Sequence, residues 1–317
     1  MDAVHMRVCT VMAAYNGLPY IKDQMDSIRK QTVQPDRVII SDDGSTDGTA
    51  EFVAQYIEEH GLDRWSLMHH KSDGGWMRNF IDAMAEVQEE LIILTDQDDI
   101  WMPDKVERYI MAFQENPEAE VVVSNYDIFY NAKDRTQQRF DRQTSTMKNS
   151  GNVLRWPITP QLHVIDRPGC VYGVRTTFYR ELRRFYPDGQ AHDNFLWLCA
   201  MALGRLYLID APLIKYRRHS GNAIKKKTLG SVPLKDRTAF IENELHVIRG
   251  VRSTMFEKET TTKEECILDE FEAFCDARLR FLTGKNAIKW FALAAKYRQF
   301  YPSSKSLLAD LLIWVRG

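Results

Sequence analysis

Between an apolar run ending at Leu94 and the aromatic Trp101, the chain places three carboxylates in one short turn, Asp96-Gln97-Asp98-Asp99. In an extended segment residues two apart point the same way, so Asp96 and Asp98 converge. Two like charges at about 4 Å repel by roughly 4 kcal/mol at an effective dielectric near 20. A half-buried cluster of this kind takes a counter-ion or a raised pKa. Hard oxygen donors favour Mg²⁺ or Mn²⁺, and a small number of protein ligands leaves room for the oxygens of a diphosphate. An isolated acidic triplet is more often a solvated turn capping the next helix, here one starting at Pro103. Directly after a buried strand, at the ligand-binding end of a sheet, the balance reverses.

Asp42-Asp43-Gly44-Ser45 stands in a similar place after Ile40. A carboxylate there accepts from a base N–H or a ribose hydroxyl. The plainer reading is a turn with Thr46 or Asp47 as helix N-cap, and the two are compatible. Aspartyl-phosphate hydrolases carry Asp-x-Asp-Gly-Thr, but the residue two before Asp43 is Ser41, so their nucleophile is missing. Asp193, after the turn Pro187-Asp188-Gly189, reads on its own as a helix N-cap, and the role of its neighbour His192 is open. Lys215-Tyr216-Arg217-Arg218-His219 follows a short strand and supplies positive charge and an imidazole for diphosphate or metal; the alternative is a solvated basic loop. His69, His70 and His163 lack ligand spacing with one another and read as structural or exposed.

The elements that must position these residues alternate. Val8–Ala13, Arg37–Ser41, Ser66–His70, Leu91–Leu94 and Val121–Ser124 have the length and composition of strands. Between them Ile21, Met25 and Ile28, then Phe52, Val53, Tyr56 and Ile57, then Phe80, Ile81, Met84 and Val87, then Val106, Ile110 and Phe113 recur at helical spacing. Such alternation implies right-handed crossovers and a mostly parallel sheet with helices on both faces. Ligands bind beyond the carboxyl ends of such strands, which selects Ala13–Gly17, Ser41–Asp47 and Thr95–Trp101. Residues 125–168 are polar and read as a long loop over the site. Structure resumes with Cys170–Val174, helices containing Phe178 to Phe185 and Asp193 to Gly204, and a strand at Arg205–Asp210. Beyond Lys225 the pattern is helical only, at Phe240–Phe256, Ile267–Leu282, Ile288–Tyr297 and Leu307–Val315. The expected organisation is an α/β catalytic domain over 1–224, in halves 1–124 and 125–224, with a helical extension over 225–317.

Composition removes several classes. The 317 residues are 44% hydrophobic and 27% charged, with a net charge of −2, so nothing global attracts nucleic acid. The balance conceals an asymmetry: from Lys225 onwards 17 basic residues face 12 acidic ones, and before it 25 face 32. Cys9, Cys170, Cys199, Cys266 and Cys275 are odd in number and widely spaced, which reads as reduced thiols in a cytoplasmic protein. Met1 to Tyr15 lacks the apolar core and cleavage site of a signal peptide. The apolar stretch Leu307–Val315 is too short to span a bilayer and carries Asp310.

Four segments together resemble the family 2 glycosyltransferases, which have the GT-A fold: Val11-Met12-Ala13-Ala14-Tyr15-Asn16-Gly17, Ser27 to Thr32, Ile39 to Asp47, and Thr95-Asp96-Gln97-Asp98-Asp99. Their order and spacing match as well, densely in the first half and more sparsely over Gly169–Asn222. The resemblance implies that Ala13, Tyr15 and Asn16 lie at the nucleotide base, with Asp43 accepting from its ring N–H and Asp42 beside it. It places Asp96 by the ribose and metal with Gln97 on the donor, Asp98 and His219 on a Mg²⁺ or Mn²⁺ ion, and Arg78, Arg217 and Arg218 near the donor. Asp193 matches the carboxylate that activates the acceptor. The family works by inversion, in one displacement at the sugar C1. The Asp-Gln-Asp-Asp-Ile-Trp version, the His192-Asp193 pair and Tyr216-Arg217-Arg218-His219 resemble the bacterial rhamnosyltransferase branch. That implies dTDP-rhamnose as donor and a glycan or lipid-linked acceptor in surface polysaccharide synthesis, although Asn194-Phe195 and Ser220-Gly221-Asn222 depart from the branch pattern.

The alternatives are a transferase using a UDP-sugar, a nucleotidyltransferase, and an inactive nucleotide- or carbohydrate-binding protein. A nucleotidyltransferase needs a Gly-rich basic first loop, which Ala13–Gly17 is not. Lys225-Lys226-Lys227, Trp290-Phe291 and Leu311-Leu312-Trp314 suit either peripheral contact with the inner face of a cell membrane or an ordinary helical bundle.

Overall fold

The apolar runs become strands and the periodic stripes become helices in a computed structural model that describes residues 6–70, 75–130, 147–219, 231–255, 262–284 and 286–316. The N-terminal half runs β1 (Val8–Ala14), α1 (Ile21–Arg29), β2 (Arg37–Asp42), α2 (Thr49–Glu59), β3 (Trp65–His69), α3 (Gly75–Ala85), β4 (Leu91–Asp96), β5 (Ile100–Trp101), α4 (Lys105–Glu115) and β6 (Val121–Tyr130). There follow β7 (Val153–Arg155), β8 (Tyr172–Arg175), α5 (Thr176–Leu182), α6 (His192–Ala202) and β9 (Leu206–Arg218). Nine strands form one sheet in the order β3-β2-β1-β4-β8-β6-β9-β5, with β7 also paired to β9. β1 to β4, β6 and β9 run one way, while β5, β7 and β8 run against them. The sheet is therefore mostly parallel, as expected.

β1, β2 and β4 are buried along nearly their whole length, the signature of strands covered on both faces. Their register sets the site. Ala13 sits opposite Ser41 on one side and Asp96 on the other, so the three loops selected by the sequence leave one edge side by side.

The structure corrects several boundaries. Residues 125–168 are not one loop: β6 continues to Tyr130 against β9, and β7 adds a second strand, while residues 131–146 lie outside those described. Lys215 to Arg218 belong to the 13-residue β9 and not to a solvated basic loop; pairing with β6 and β5 holds this polar half in the sheet. Pro103 precedes α4, whose first residue is Lys105. Gly48, at φ 92°, caps α2, although Asp47 still accepts from the Thr49 N–H at 3.1 Å. Four of the cysteines are buried and Cys266 is exposed.

The C-terminal residues form α7 (Leu234–Met255), α8 (Thr262–Leu282), α9 (Ile288–Lys296) and α10 (Ser304–Arg316), close to the periodicity. Phe271, Phe274, Phe300 and Tyr301 make an aromatic core, and His163 stacks against Phe271 from the preceding segment. Asp310 is fully buried among these helices, accepting from Arg278, Arg237 and the Tyr301 hydroxyl at 2.8–3.1 Å. Among the described residues no helix is long and apolar enough to cross a membrane. Lys225, Lys226 and Lys227 lie outside the described residues.

Candidate active site

The first two loops are stitched together by backbone-to-side-chain hydrogen bonds. The N–H groups of Asn16, Gly17 and Leu18 donate to Ser45 Oγ (2.8 Å), Thr49 Oγ1 (2.9 Å) and Asp47 Oδ2 (3.1 Å). In return the Thr46 N–H donates to Asn16 Oδ1 at 2.9 Å, so Asn16 acts as a tie between loops; its φ of 49° is tolerated by asparagine. Gln97 clamps the third loop onto the first. Its Oε1 accepts from the Tyr15 N–H at 2.9 Å and its Nε2 donates to the Tyr15 carbonyl at 2.8 Å. Position 17 must be glycine for this clamp, because a Cβ there would stand 2.0 Å from Gln97 Oε1. The Tyr15 side chain, half-exposed at 54%, is left facing the mouth of the site beside half-buried Ala13.

The two carboxylates of the second loop differ in task. Asp42 is buried and spends both oxygens on its own turn, accepting from the N–H groups of Gly44 (3.1 Å) and Ser45 (2.9 Å) and from the Ser45 hydroxyl. It shapes the loop from within. Asp43 is half-buried and accepts from His70 Nδ1 at 3.0 Å. The other ring nitrogen of His70 meets Asp82 at 2.9 Å, and Asp82 pairs with Arg78 at 3.0 Å, which reaches Asp188 at 3.3 Å. Burial alone would lower the His70 pKa, but the flanking Asp43 and Asp82 carboxylates outweigh it and hold it above its ordinary value. His70, read as structural or exposed, is thus what orients Asp43. No spacing in the chain signals this, since its partners lie 27 and 12 residues away.

At the end of β4 the acidic turn splits into two levels. Asp96, Asp99 and Cys170 lie within 4.8 Å of one another below the surface. Burial, then Asp98, then Asp193 push Asp96 up to about 7. Burial, then Asp98 and Asp96, push buried Asp99 well up. Lys105, fully buried beneath them, donates to the Cys170 carbonyl at 3.1 Å and sits 4.0 Å over the Trp101 ring. Burial pulls its pKa down to about 7 despite the neighbouring negative groups. A soft-metal site through the Cys170 thiol does not suit these residues: burial and both carboxylates raise that thiol, whereas a metal-bound thiolate must be deprotonated. A hard cation does. The buried Asp99 Oδ2 has no hydrogen-bond partner among the described residues beyond the weakly donating thiol beside it. Asp96 and Asp98 are both half-buried, and His219 Nε2 meets Asp98 Oδ2 at 2.7 Å.

The basic residues of β9 serve this turn. Arg217 is buried; its N–H donates to Asp99 Oδ1 at 3.0 Å, its Nε to the Asp98 carbonyl at 2.7 Å, and its Nη2 to Asp23 at 2.9 Å. It braces the acidic turn, where the sequence reading had it near the donor. Arg218 is half-buried with its guanidinium over the Tyr216 ring at 5.0 Å. Asp193 lies in the first turn of α6, which Ala191 caps in its place. The Asn194 N–H donates to Asp193 Oδ1 at 2.8 Å. Asp193 packs beside Gly169, where an added Cβ would lie 3.2 Å from Asp193 Cβ, next to the Cys170 that borders Asp96 and Asp99. His192 is buried against Phe80 at 4.0 Å and burial keeps it neutral. Gly169 makes room for it, since a Cβ there would lie 2.4 Å from His192 Nε2.

One sheet edge thus carries two loops tied together by hydrogen bonds, an acidic turn suited to a hard cation and, beside it, a further carboxylate. The sequence profile described as glycosyl transferase family 2 matches residues 9–196, more than half of the chain. The chain belongs to that family. It is a glycosyltransferase, and the rest of the resemblance follows from relatives. The dTDP-rhamnosyl transferase RfbG of Shigella flexneri is 27% identical over 231 residues, 67% of this chain and 73% of that protein. The structure of S. aureus TarS 1–349 in complex with UDP-GlcNAc matches with a TM-score of 0.62 at 18% identity, over 98% of this glycosyltransferase and 87% of that 1–349 chain. Mannosyltransferase PcManGT from Pyrobaculum calidifontis, in complex with GDP-Man and Mn²⁺, matches with a TM-score of 0.52 at 17% identity, over 98% and 87% of the two chains. These likenesses show the GT-A fold.

Proposed function

We propose that this glycosyltransferase is an inverting enzyme that moves a sugar from a nucleotide-diphospho-sugar to a hydroxyl of a glycan or lipid-linked acceptor. The observation that carries the reading is the grouping of carboxylates beyond β4, where Asp96 and Asp99 lie against Cys170 and Asp193 packs beside the neighbouring Gly169, with burial first and then the Asp98 and Asp193 charges raising Asp96. Ala13 and the exposed Tyr15 ring flank the nucleotide base, and Asp43, oriented by His70, accepts from its ring N–H. Asp96 lies by the ribose. Asp96, Asp98 and His219 are the residues that would hold Mg²⁺ or Mn²⁺, which when bound offsets the charge developing on the leaving diphosphate. Asp193 takes the proton of the acceptor hydroxyl, which attacks C1 of the sugar as the nucleoside diphosphate departs. One displacement inverts the anomeric centre. A carboxylate within reach of the acceptor hydroxyl is a competent base.

The donor we favour is dTDP-rhamnose, supported by the RfbG relative and by the sequence motifs, with surface polysaccharide as the product. A UDP-sugar is the second reading, favoured by the UDP-GlcNAc bound in TarS. We assign catalysis to residues 1–224 and a supporting role, at the membrane of a lipid-linked acceptor, to 225–317. Asp193→Asn tests the central step. It retains donor binding and loses transfer, while the wild-type product shows an inverted anomeric signal by NMR. Equal turnover by Asp193→Asn and wild type overturns the base assignment, and retained configuration overturns the mechanism.

A further inference from the structure

The C-terminal part of the chain has an uneven charge pattern. From Ala277 to Gly317 the sequence carries Arg278, Arg280, Lys285, Lys289, Lys296, Arg298, Lys305 and Arg316 but a single acidic residue, Asp310. Asp310 is fully buried and clasped by Arg278 and Arg237. Arg280, Lys289, Lys296, Arg298 and Lys305 are exposed, so the surface of this segment is rich in positive charge.

On that surface α9 is amphipathic in an inverted sense. Leu293 and Tyr297 are buried, and Trp290 is half-buried with its Nε1 donating to the Leu307 carbonyl at 3.1 Å. The opposite side exposes Ile288, Phe291, Ala292 and Ala295, spaced i, i+3, i+4 and i+7. Ile288 is 73% exposed and Phe291 65% exposed. A soluble face at this period carries polar residues. Lys289 and Lys296, both exposed, flank the stripe. Leu308 and Val315 of α10 add exposed apolar surface, with Lys305 exposed beside them. The aromatic residues first suspected are mostly not part of this face: Trp314 is half-buried with its Nε1 on the Gly284 carbonyl at 2.6 Å, and Leu311 and Leu312 are half-buried.

We infer that the exposed Ile288–Phe291–Ala292–Ala295 stripe of α9, bordered along one side by Lys289 and Lys296, is a docking surface for an anionic phospholipid bilayer, on which the helix lies in the plane of the interface. The apolar side chains enter the boundary between headgroups and acyl chains, and the lysines meet lipid phosphates. Nine residues of helix span about 14 Å, a convex strip far short of what a stable protein interface of roughly 1,200 Å² or more requires. The exposed lysines beside the stripe favour an anionic partner, and a lipid surface accepts a convex apolar strip without a matching groove. The inference deepens the lipid-linked-acceptor reading and depends on no catalytic step.

The test is co-sedimentation of the full chain with vesicles of phosphatidylcholine alone and of phosphatidylcholine mixed with phosphatidylglycerol. The wild type pellets with the mixed vesicles, less so as salt rises, and stays in the supernatant with phosphatidylcholine. Lys289→Glu/Lys296→Glu lowers the apparent affinity for mixed vesicles by about tenfold or more. Ile288→Ser/Phe291→Ser lowers it by a similar factor even at low salt, and both variants keep wild-type thermal unfolding and nucleotide-sugar binding. Equal partition onto both vesicle types, or variants that bind as the wild type does, overturns the inference. So does self-association of the wild type, by sedimentation velocity, that Ile288→Ser/Phe291→Ser abolishes, because it assigns the stripe to a second copy. Donor binding is read separately, so failure here leaves the catalytic reading standing.

Discussion

The clamp between Gln97 and Tyr15 makes a sharp prediction, because its geometry couples two positions 80 residues apart. Gln97 holds both backbone groups of Tyr15, at 2.9 and 2.8 Å. Each neutral hydrogen bond contributes about 0.5–1.5 kcal/mol net, so the pair is worth about 1–3 kcal/mol. Gly17→Ala would set a Cβ 2.0 Å from Gln97 Oε1 and 2.3 Å from its Cδ. Gly17 is not among the residues with positive φ, so the substitution adds no backbone strain and acts by expelling Gln97. Tyr15 then loses its anchor, and donor affinity falls by roughly 5- to 100-fold, using 1.4 kcal/mol per factor of ten. Gln97→Ala gives a similar loss. In the Gln97→Ala background the obstructing atoms are gone, so adding Gly17→Ala costs less than about 0.5 kcal/mol more. The assay is a double-mutant cycle on nucleotide-sugar affinity by calorimetry, with thermal unfolding alongside. Additive losses, or a Gly17→Ala enzyme that binds donor like the wild type, would refute the reasoning.

Three further outcomes follow from the site and its supports. Asp98→Ala weakens donor binding in the presence of Mn²⁺ and brings it to the level the wild type shows in EDTA, by calorimetry; unaltered metal dependence counts against the assignment. His70 has a folded pKa raised above its unfolded value near 6.5, so its bridge to Asp43 and Asp82 stabilises fully below that pH and is lost as pH rises through the folded value. His70→Gln removes this decline from the melting temperature and flattens donor affinity over the same window, whereas parallel pH curves for both proteins oppose the bridge. Asp310 has a depressed folded pKa, since Arg278 and Arg237 overcome the opposing effect of burial. Its stabilisation is present above the unfolded carboxylate pKa and lost as pH falls through the folded one. Asp310→Ala strands two guanidinium groups and costs about 3–5 kcal/mol in urea unfolding; a loss below about 1 kcal/mol would mean that the cluster does not hold α7, α8 and α10 together.

How far the fold was legible depended on whether local composition or tertiary pairing decided an element. β1, β2 and β4 are apolar runs buried on both faces, so Val8 to Ala14 and Leu91 to Leu94 announce themselves. β9 does not. Its second half, Lys215 to Arg218, is polar and becomes strand only because β6 and β5 pair with it. Lysine and arginine are the residues least expected inside, and Lys105 and Arg217 are buried because the acidic turn above them needs charge and donors. Asp96 and Asp98 stand out in the sequence because they follow a buried strand, whereas Asp193 by itself reads as a helix N-cap and only the family resemblance singles it out. Asp99, in the same turn as Asp96 and Asp98, was not separable from them until the fold buried it beside Cys170. Asp42 and Asp43 look alike in the chain, and only the turn geometry sends one inward to its own loop and the other to His70.

The measurement that bears most directly on the account is calorimetric binding of TDP-, UDP- and GDP-sugars to the wild-type chain, with and without Mn²⁺. The account predicts saturable binding of a nucleotide-sugar that Mn²⁺ tightens, strongest for dTDP-rhamnose, with a UDP-sugar as the second reading. Failure of all three classes to bind in the presence of Mn²⁺ would contradict it.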